Sequence, residues 1–202
     1  MRIMLATNNP SKVARVRKQL AGKPVEIVTP RDVGIDPVEI GEGSDIVANA
    51  VAKAKAYLGA VDMPVVGLDS SFTIEGEPLD PAKVRRNALG DRDESTMTQE
   101  EIGKMMVEFY QGVARRHGGE AKGQWADAFA LVMPDGTVTT ELGVRPVILT
   151  DIPTGPVDWH FPLRALYKTV VATGRHPSQQ TAEEEWLELA PYREALERLL
   201  GL

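Results

Sequence analysis

The chain contains no cysteine, which rules out disulfides, cysteine-based zinc sites and thiol nucleophiles. It also lacks an excess of positive charge, since 29 acidic and 23 basic residues give a net charge of −6. Broad binding to polymeric nucleic acid depends on surplus lysine and arginine, so we expect no such partner. This balance still allows a small anionic ligand that is held by a few well-placed cations.

Long hydrophobic runs are lacking as well. No segment approaches the roughly 20 apolar residues of a membrane span, and only four apolar residues follow Arg2, so we predict neither a membrane segment nor a secretory signal. A cytoplasmic location is the resulting expectation. The 202 residues, 43% of them hydrophobic, suit a globular chain with a normal core. We see no linker or repeat and expect a single domain over residues 1–202.

Apolar runs and helical spacing alternate in the first half of the chain, and a hairpin pattern appears later. The spacing of apolar residues predicts the following elements: strands at 2–6, 25–28 and 64–68, the last continuing to 74, and helices at 12–20 and 45–58. Ser11 is the expected N-cap of the first helix. Pro134-Asp135-Gly136 predicts a hairpin turn. Together these patterns predict an α/β fold with a mixed sheet.

The second half of the chain carries clearer helix starts than strand boundaries. Thr98 and Thr181 each stand three residues before a glutamate, which is the spacing of a capping box. A last helix is predicted over 192–200, with Pro191 at its first position. Residues 158–171 fit either a strand or a helix.

The first candidate site is the corner Thr7-Asn8-Asn9-Pro10-Ser11-Lys12, where a buried strand meets a helix. Backbone amides at a helix N-terminus bind anions, and Thr7 and Asn9 add neutral donors. Lys12 lies in the first helical turn, where the helix dipole disfavours a cation unless an anion is bound. The alternative is an ordinary turn with a cap and a solvated lysine.

Three further stretches carry charged groups at positions where a metal ion or a phosphate could bind. Glu39 and Glu42 lie on a glycine-containing loop and could reach a hard cation such as Mg²⁺, while Lys53 on the next helix could face a phosphate. Asp69 follows a buried strand, at the edge where ligands bind in open α/β sheets. Arg193 lies near the start of the last helix. Taken singly, each stretch also fits a plain surface loop, turn or ion pair.

Together, these stretches resemble the inosine triphosphate pyrophosphatases, also called XTP/dITP diphosphatases. That family opens with a strand and T-x-N-x-x-K, which residues 7–12 match. Residues 48–54 match its E-N-A-x-x-K-A segment except at the first position, and residues 68–71 stand where it has D-D-S-G. Residues 191–196 lie at the place of its S-H-R-x-x-A-L segment.

The resemblance implies a long central mixed sheet flanked by helices, with two lobes and a cleft between them, usually in a homodimer. It implies Mg²⁺-dependent attack of water on the α-phosphate of a non-standard purine nucleoside triphosphate such as dITP, ITP or XTP. Asp69 would orient or deprotonate the water and, with Glu39 or Glu42, would hold the metal. The substrate-binding positions implied by the motifs are Thr7, Asn9, Lys12, Lys53, Ser70, Tyr192 and Arg193.

The chain departs from the family pattern at several positions. Leu68 replaces the first Asp of D-D-S-G, and Tyr192 replaces the His of S-H-R. Residues 158–162 stand in for F-G-Y-D-P, where Trp159 and Phe161 either stack on the base or belong to the core. Two alternative functions are therefore considered beside the implied pyrophosphatase activity. One is a pyrophosphatase with shifted base specificity, closer to the Maf type, and the other is a nucleotide-binding protein with weak or no hydrolysis.

Overall fold

The structure is a computed structural model that describes residues 1–38, 40–80, 83–155, 157–159, 161–170 and 174–202. The strands are β1 (Arg2–Leu5), β2 (Glu26–Val28), β3 (Val65–Ile74), β4 (Glu120–Val132), β5 (Val138–Thr150) and β6 (Tyr167–Thr169). The helices are α1 (Pro10–Gln19), α2 (Ile46–Lys55), α3 (Val84–Leu89), α4 (Gln99–Arg116), α5 (Ala182–Glu188) and α6 (Ala190–Leu200). Within these ranges, no helix is both long and apolar enough to cross a membrane.

The described strands form one six-stranded sheet in the order β2-β1-β3-β4-β5-β6. β1 pairs in parallel with both β2 and β3, whereas β5 and β6 are antiparallel. The predicted hairpin turn joins β4 to β5, and Gly136 has a φ of 88° there, which glycine adopts without strain. The sheet is therefore mixed, and the predicted fold class is confirmed.

The chain divides into two compact units. The first comprises Met1–Ser71, Ala126–Val144 and Pro191–Leu202, and the second comprises Phe72–Trp125 and Arg145–Ala190. In the first unit, α1 and α6 pack on one face of the strands, against a core that includes Leu5, Leu68 and Phe129. Met4 and Val65 point to the other face, where they pack with Ala54 of α2. The second unit has its own core, in which α4 packs against strand residues such as Phe72 and Leu149.

The start of α1 differs from the prediction. Ser11 is not the N-cap, because the helix begins at Pro10 and the side chain of Asn9 accepts hydrogen bonds from the amides of Ser11 and Lys12. Asn9 has extended φ and ψ angles, and proline at the first helical position lacks the amide hydrogen that would otherwise need a partner. The cap therefore lies one residue before the proline.

α2 lies unusually close to β3. A Cβ atom built on Gly67 would be 1.9 Å from the carbonyl oxygen of Ala50 and 2.9 Å from the amide nitrogen of Ala54. Only glycine allows the strand and the helix backbone to approach this closely. This contact places the inward face of α2 directly beside the residues that follow Gly67 on β3.

Candidate functional site

The corner between β1 and α1 uses its own polar groups to build the turn. The Thr7 hydroxyl accepts from the amide of Asn9 at 3.1 Å, and Asn9 Oδ1 accepts from the amides of Ser11 and Lys12 at 3.0 and 3.3 Å. These amides are thus already paired, unlike the free donors that the sequence predicted. Since both side chains act as acceptors here, the turn does not consume the Thr7 hydroxyl proton or the Asn9 amide group.

Asp69 lies on β3, two residues beyond Gly67, and faces α2. Its Oδ1 atom is 2.7 Å from Lys53 Nζ, and its Oδ2 atom accepts from Asn49 Nδ2 at 2.8 Å. Asn49 and Lys53 are four residues apart on α2, so both side chains project from one face of the helix. Asp69 is only 8% exposed, and these hydrogen bonds hold both carboxylate oxygens in place.

The acidic loop before α2 is tied to the same cluster. Glu42 Oε1 lies 2.7 Å from Lys53 Nζ, and Asn49 exchanges two hydrogen bonds with the backbone of Gly43, at 2.8 and 2.9 Å. Glu42 and Asp69 therefore share one ammonium group. Glu39, the other candidate metal ligand, lies outside the described residues.

The charges of this cluster also act on Lys12. Burial, followed by repulsion from the ammonium of Lys53, lowers the pKa of Lys12, and the charges of Asp69, Glu42 and Asp127 partly offset the effect. Lys53 behaves in the opposite way. Burial disfavours its ammonium form, but the hydrogen bonds that Lys53 donates to Asp69 and Glu42 outweigh that cost and raise its pKa.

Ser70 and Asp127 lie on adjacent strands and form a further hydrogen bond in the same unit. The Ser70 hydroxyl donates to Asp127 Oδ1 at 2.7 Å, and Asp127 is only 1% exposed. Ser70 thus lies one residue from Asp69 and is bonded to a second carboxylate.

Arg193 contacts the far end of α1, and Tyr192 packs in the core. Arg193 Nη1 donates to Gln19 Oε1 at 3.2 Å, and Gln19 ends α1, roughly 10 Å along the helix axis from Lys12. Tyr192 is 2% exposed and packs edge-on against Phe129, with ring centroids 4.8 Å apart. Their substrate-binding roles stay predictions.

Trp159 and Phe161 lie in the second unit. The Trp159 carbonyl accepts from Gln99 at 2.9 Å, and its ring lies 5.8 Å from the ammonium of Lys104. The ring of Phe161 lies 5.6 Å from that of Trp125. Base stacking by Trp159 and Phe161 stays a prediction.

Sequence reasoning left Asn49 and Asp127 out of the candidate site. The signal for Asn49 was available, because it precedes Lys53 by four residues in a predicted helix and belongs to the quoted motif. For Asp127 the only signal was a single acid inside an otherwise apolar strand, Trp125–Val132, which carries no ligand spacing.

Comparisons with known proteins agree with the fold and the motifs. A model of the Ham1 family matches residues 3–142. A dITP/XTP pyrophosphatase of Thermoanaerobacter pseudethanolicus is 29% identical over 113 residues, so that the chain spans about half of that relative, 55% of its length. A dITP/XTP pyrophosphatase of Symbiobacterium thermophilum is 26% identical over 188 residues, covering 91% of this chain and 86% of that protein.

Solved structures show the same fold over the full length. A Ham1 protein from Coxiella burnetii superimposes with a TM-score of 0.74 at 18% identity, covering 100% of this chain and 98% of the other. A nucleoside-triphosphatase, or dITP/XTP pyrophosphatase, of Mycobacterium abscessus gives a TM-score of 0.66 at 20% identity, covering 100% of both chains. The resemblance recognised in the sequence is confirmed: with a family model that spans well over half of its residues, the chain belongs to the Ham1 family.

Proposed function

We propose that the protein hydrolyses a non-standard purine nucleoside triphosphate, of the dITP, ITP or XTP kind, to the monophosphate and pyrophosphate, with Mg²⁺ as cofactor. The observation that carries this proposal is the contact of Lys53 with Asp69 at 2.7 Å, together with the charge interactions that link Lys12 to both residues. The names of the relatives support the choice of substrate. A homodimer and a cytoplasmic location are part of the same proposal.

The charge of the cluster supports a requirement for a divalent cation. Among the described residues, the ammonium groups of Lys12 and Lys53 interact with three carboxylates, those of Glu42, Asp69 and Asp127. The acids thus outnumber the lysines, and a polyanionic triphosphate gains little from such a site alone. A divalent cation bound with the substrate reverses this balance.

Glu42 and Asp69 fit a magnesium ion. Both carboxylates reach one point, since each has an oxygen 2.7 Å from the same atom, Lys53 Nζ. Mg²⁺ favours one or two carboxylates completed by phosphate oxygens and water. When bound, the ion would neutralise phosphate charge and polarise the phosphoryl group.

The residues of the chain then have distinct tasks. The ammonium groups of Lys12 and Lys53 bind the phosphate oxygens, and Asn49 holds the Asp69 carboxylate in one orientation. Asp69 accepts a hydrogen bond from the attacking water and receives its proton as the oxygen attacks the α-phosphorus. The bond to the bridging oxygen breaks, and pyrophosphate leaves. Such phosphoryl chemistry needs positioning and charge neutralisation more than a nucleophilic side chain.

The test is a panel of standard, deaminated and modified nucleoside triphosphates with Mg²⁺, in which pyrophosphate and orthophosphate are measured separately. Pyrophosphate from deaminated purines alone supports the proposal. Pyrophosphate from another base supports the alternative of shifted specificity, which the changed residues 158–162 favour. Tight binding without turnover supports the alternative of a binding protein.

Asp69→Asn tests the role of the carboxylate within the same assay. We expect turnover to fall by about 100-fold or more, because a positioned general base contributes roughly 10²–10⁴-fold. Asp62→Asn is the matched control, since Asp62 is exposed and lies in the loop before β3. Retention of most activity in a folded Asp69→Asn protein would remove Asp69 from its role.

A further inference from the structure

Asp127 occupies a position that is costly for a charged group. It is 1% exposed and stands in β4, two residues before Phe129, which belongs to the apolar core under α1 and α6. A buried carboxylate is tolerated when hydrogen bonds and opposite charges compensate its desolvation. Here the compensation includes the Ser70 hydroxyl, at 2.7 Å, and the nearby ammonium of Lys12.

The alternation of side chains explains how Asp127 reaches the candidate site. On β3, Leu68 packs in the core beneath α1, and Ser70 follows it on the same face. On the adjacent β4, Phe129 packs in that core, and Asp127 precedes it on the same face. Asp69 points to the opposite face, toward α2. The two acids therefore approach the cluster from opposite sides of β3.

The hydrogen bond also fixes what Ser70 can do. Its single hydroxyl proton is used toward Asp127, so the oxygen is left with lone pairs that only accept. While this bond is made, Ser70 cannot donate to a phosphate oxygen. It can accept from an ammonium group on the α1 face of the sheet.

We infer that Asp127 is a positioning residue of the phosphate site, which holds Ser70 as an acceptor and reduces the positive charge that the phosphates meet. This inference rests on the proposed function, because it assumes that the cluster binds a triphosphate. Its benefit would be in turnover: a site that binds the pyrophosphate product less tightly releases it faster, and an oriented Ser70 keeps a phosphate-binding ammonium group in place.

Asp127→Asn tests the charge, because the amide keeps the size of the side chain. We expect magnesium tripolyphosphate to bind about 3- to 10-fold more tightly, since a negative charge close to the ligand is removed. We expect kcat for the best triphosphate to fall by about 10-fold, since Ser70 is released. A purely structural role predicts the opposite change in binding, with a lower melting temperature. Asp62→Asn is again the charge control.

Ser70→Ala tests the hydrogen bond with the charge left in place. Tripolyphosphate affinity should stay within about twofold, while kcat falls about 10-fold. The double variant should lose less kcat than the product of the two single losses, because both changes break the same hydrogen bond. Unchanged kcat in Ser70→Ala would overturn the inference even if Asp127→Asn fails to fold.

Calorimetric titration of the wild-type protein with magnesium tripolyphosphate tests the role of Asp127 separately from the proposed function. Binding by the wild type, with equal or weaker binding by Asp127→Asn, overturns the inference and leaves the proposed function intact. Binding without turnover of any triphosphate overturns the proposed hydrolysis, while the affinity comparison still decides the charge role of Asp127. No binding by the wild type overturns both.

Discussion

The folded protein disfavours the charge of Lys12. Burial, followed by the ammonium of Lys53, lowers its pKa, whereas in the unfolded chain the pKa is ordinary. The folded state therefore takes up this proton less readily than the unfolded state. Below the lowered pKa, the free energy of unfolding is therefore reduced by a constant amount. This reduction disappears as the pH rises toward the pKa of Lys12 in the unfolded chain. A residue kept at such a cost is expected to serve a ligand.

Lys12→Met should accordingly raise the stability of the protein and weaken its ligand binding. At pH 7 we expect the free energy of unfolding to rise by about 0.5–2 kcal/mol, the usual gain when an unfavourable group is removed from a functional site. Magnesium tripolyphosphate should bind roughly 10- to 100-fold more weakly, because a charge-assisted hydrogen bond is lost. Urea unfolding and calorimetry measure the two quantities.

Lys12→Arg provides the control for this prediction. Arginine keeps its charge at all accessible pH values, so its tripolyphosphate binding should persist at alkaline pH, where the wild type weakens as Lys12 loses its proton. If Lys12→Met proves less stable than the wild type, or binds equally well, the corner is an ordinary turn with a partly solvated lysine.

Residue by residue, the sequence predicted charged groups better than their partners. Lys12 and Asp69 could be selected because the sequence predicted them at a helix start and at a strand end, although β3 continues past Asp69 to Ile74. Lys53 could be selected because it follows an acidic loop on the next helix. Asn9 was missed as the N-cap because Asn9 and Ser11 both have capping side chains, and Pro10 at the first helical position was the signal that decides between them. Asp127 could not be selected, because its partner Ser70 lies 57 residues away in the sequence.

At the scale of elements, the contact between β3 and α2 aligns the site. Gly67 lets the backbone of α2 approach the strand, and α2 in turn carries Asn49 and Lys53, which hold Asp69. The strand and the helix are thus held at a distance that suits three side chains at once. A small change at Gly67 should therefore be transmitted to the cluster.

Gly67→Ala should reduce both stability and ligand binding. The added methyl group would lie 1.9 Å from the Ala50 carbonyl oxygen, and the backbone cannot yield as a flexible side chain does. We expect a loss of about 1–3 kcal/mol, as for other overpacked positions, together with weaker tripolyphosphate binding as α2 moves away from Asp69. Chemical denaturation and calorimetry test the two effects.

Gly112→Ala is the matched control. Gly112 lies within α4, and a Cβ atom there meets nothing within 4 Å. The same substitution should therefore stabilise the protein by about 0.5–1 kcal/mol, because alanine favours the helix. Equal tolerance of alanine at positions 67 and 112 would contradict the proposed role of the close approach.

Elements with strong local signals were predicted, whereas residues 158–171 were not assigned. Both capping boxes, at Thr98 and Thr181, are confirmed, as is the hairpin turn at residues 134–136. Residues 158–171 were left between strand and helix. Their described part holds a five-residue 3₁₀ helix, Pro162–Leu166, and the three-residue β6. Segments this short do not complete enough periods for a hydrophobic pattern to distinguish them.

At the scale of the whole molecule, the chain divides into two units whose boundaries the sequence did not mark. Three strands pass from one unit to the other: β3 after Ser71, β4 after Trp125 and β5 after Val144. Because these boundaries fall inside continuous strands, no linker marks them in the sequence. The single domain stays a prediction, and the continuity of these strands is the reason to expect the units to unfold cooperatively.

Hydrogen exchange with and without ligand tests this cooperativity. The proposed phosphate-binding residues Lys12 and Lys53 and the catalytic candidate Asp69 all belong to the first unit. Tripolyphosphate with Mg²⁺ at about 100 times its Kd should add roughly 2.7 kcal/mol to the stability of whatever unfolds together with the site. In a single domain, the slowest amides of both cores gain this protection, at Met4 in the first unit and at Val113 in the second.

Lys12→Met, with its ligand affinity reduced, should show much less protection in either unit. Protection confined to Met4 and its neighbours would mean that the second unit unfolds on its own, because a ligand stabilises only those amides whose exchange requires opening of its binding site.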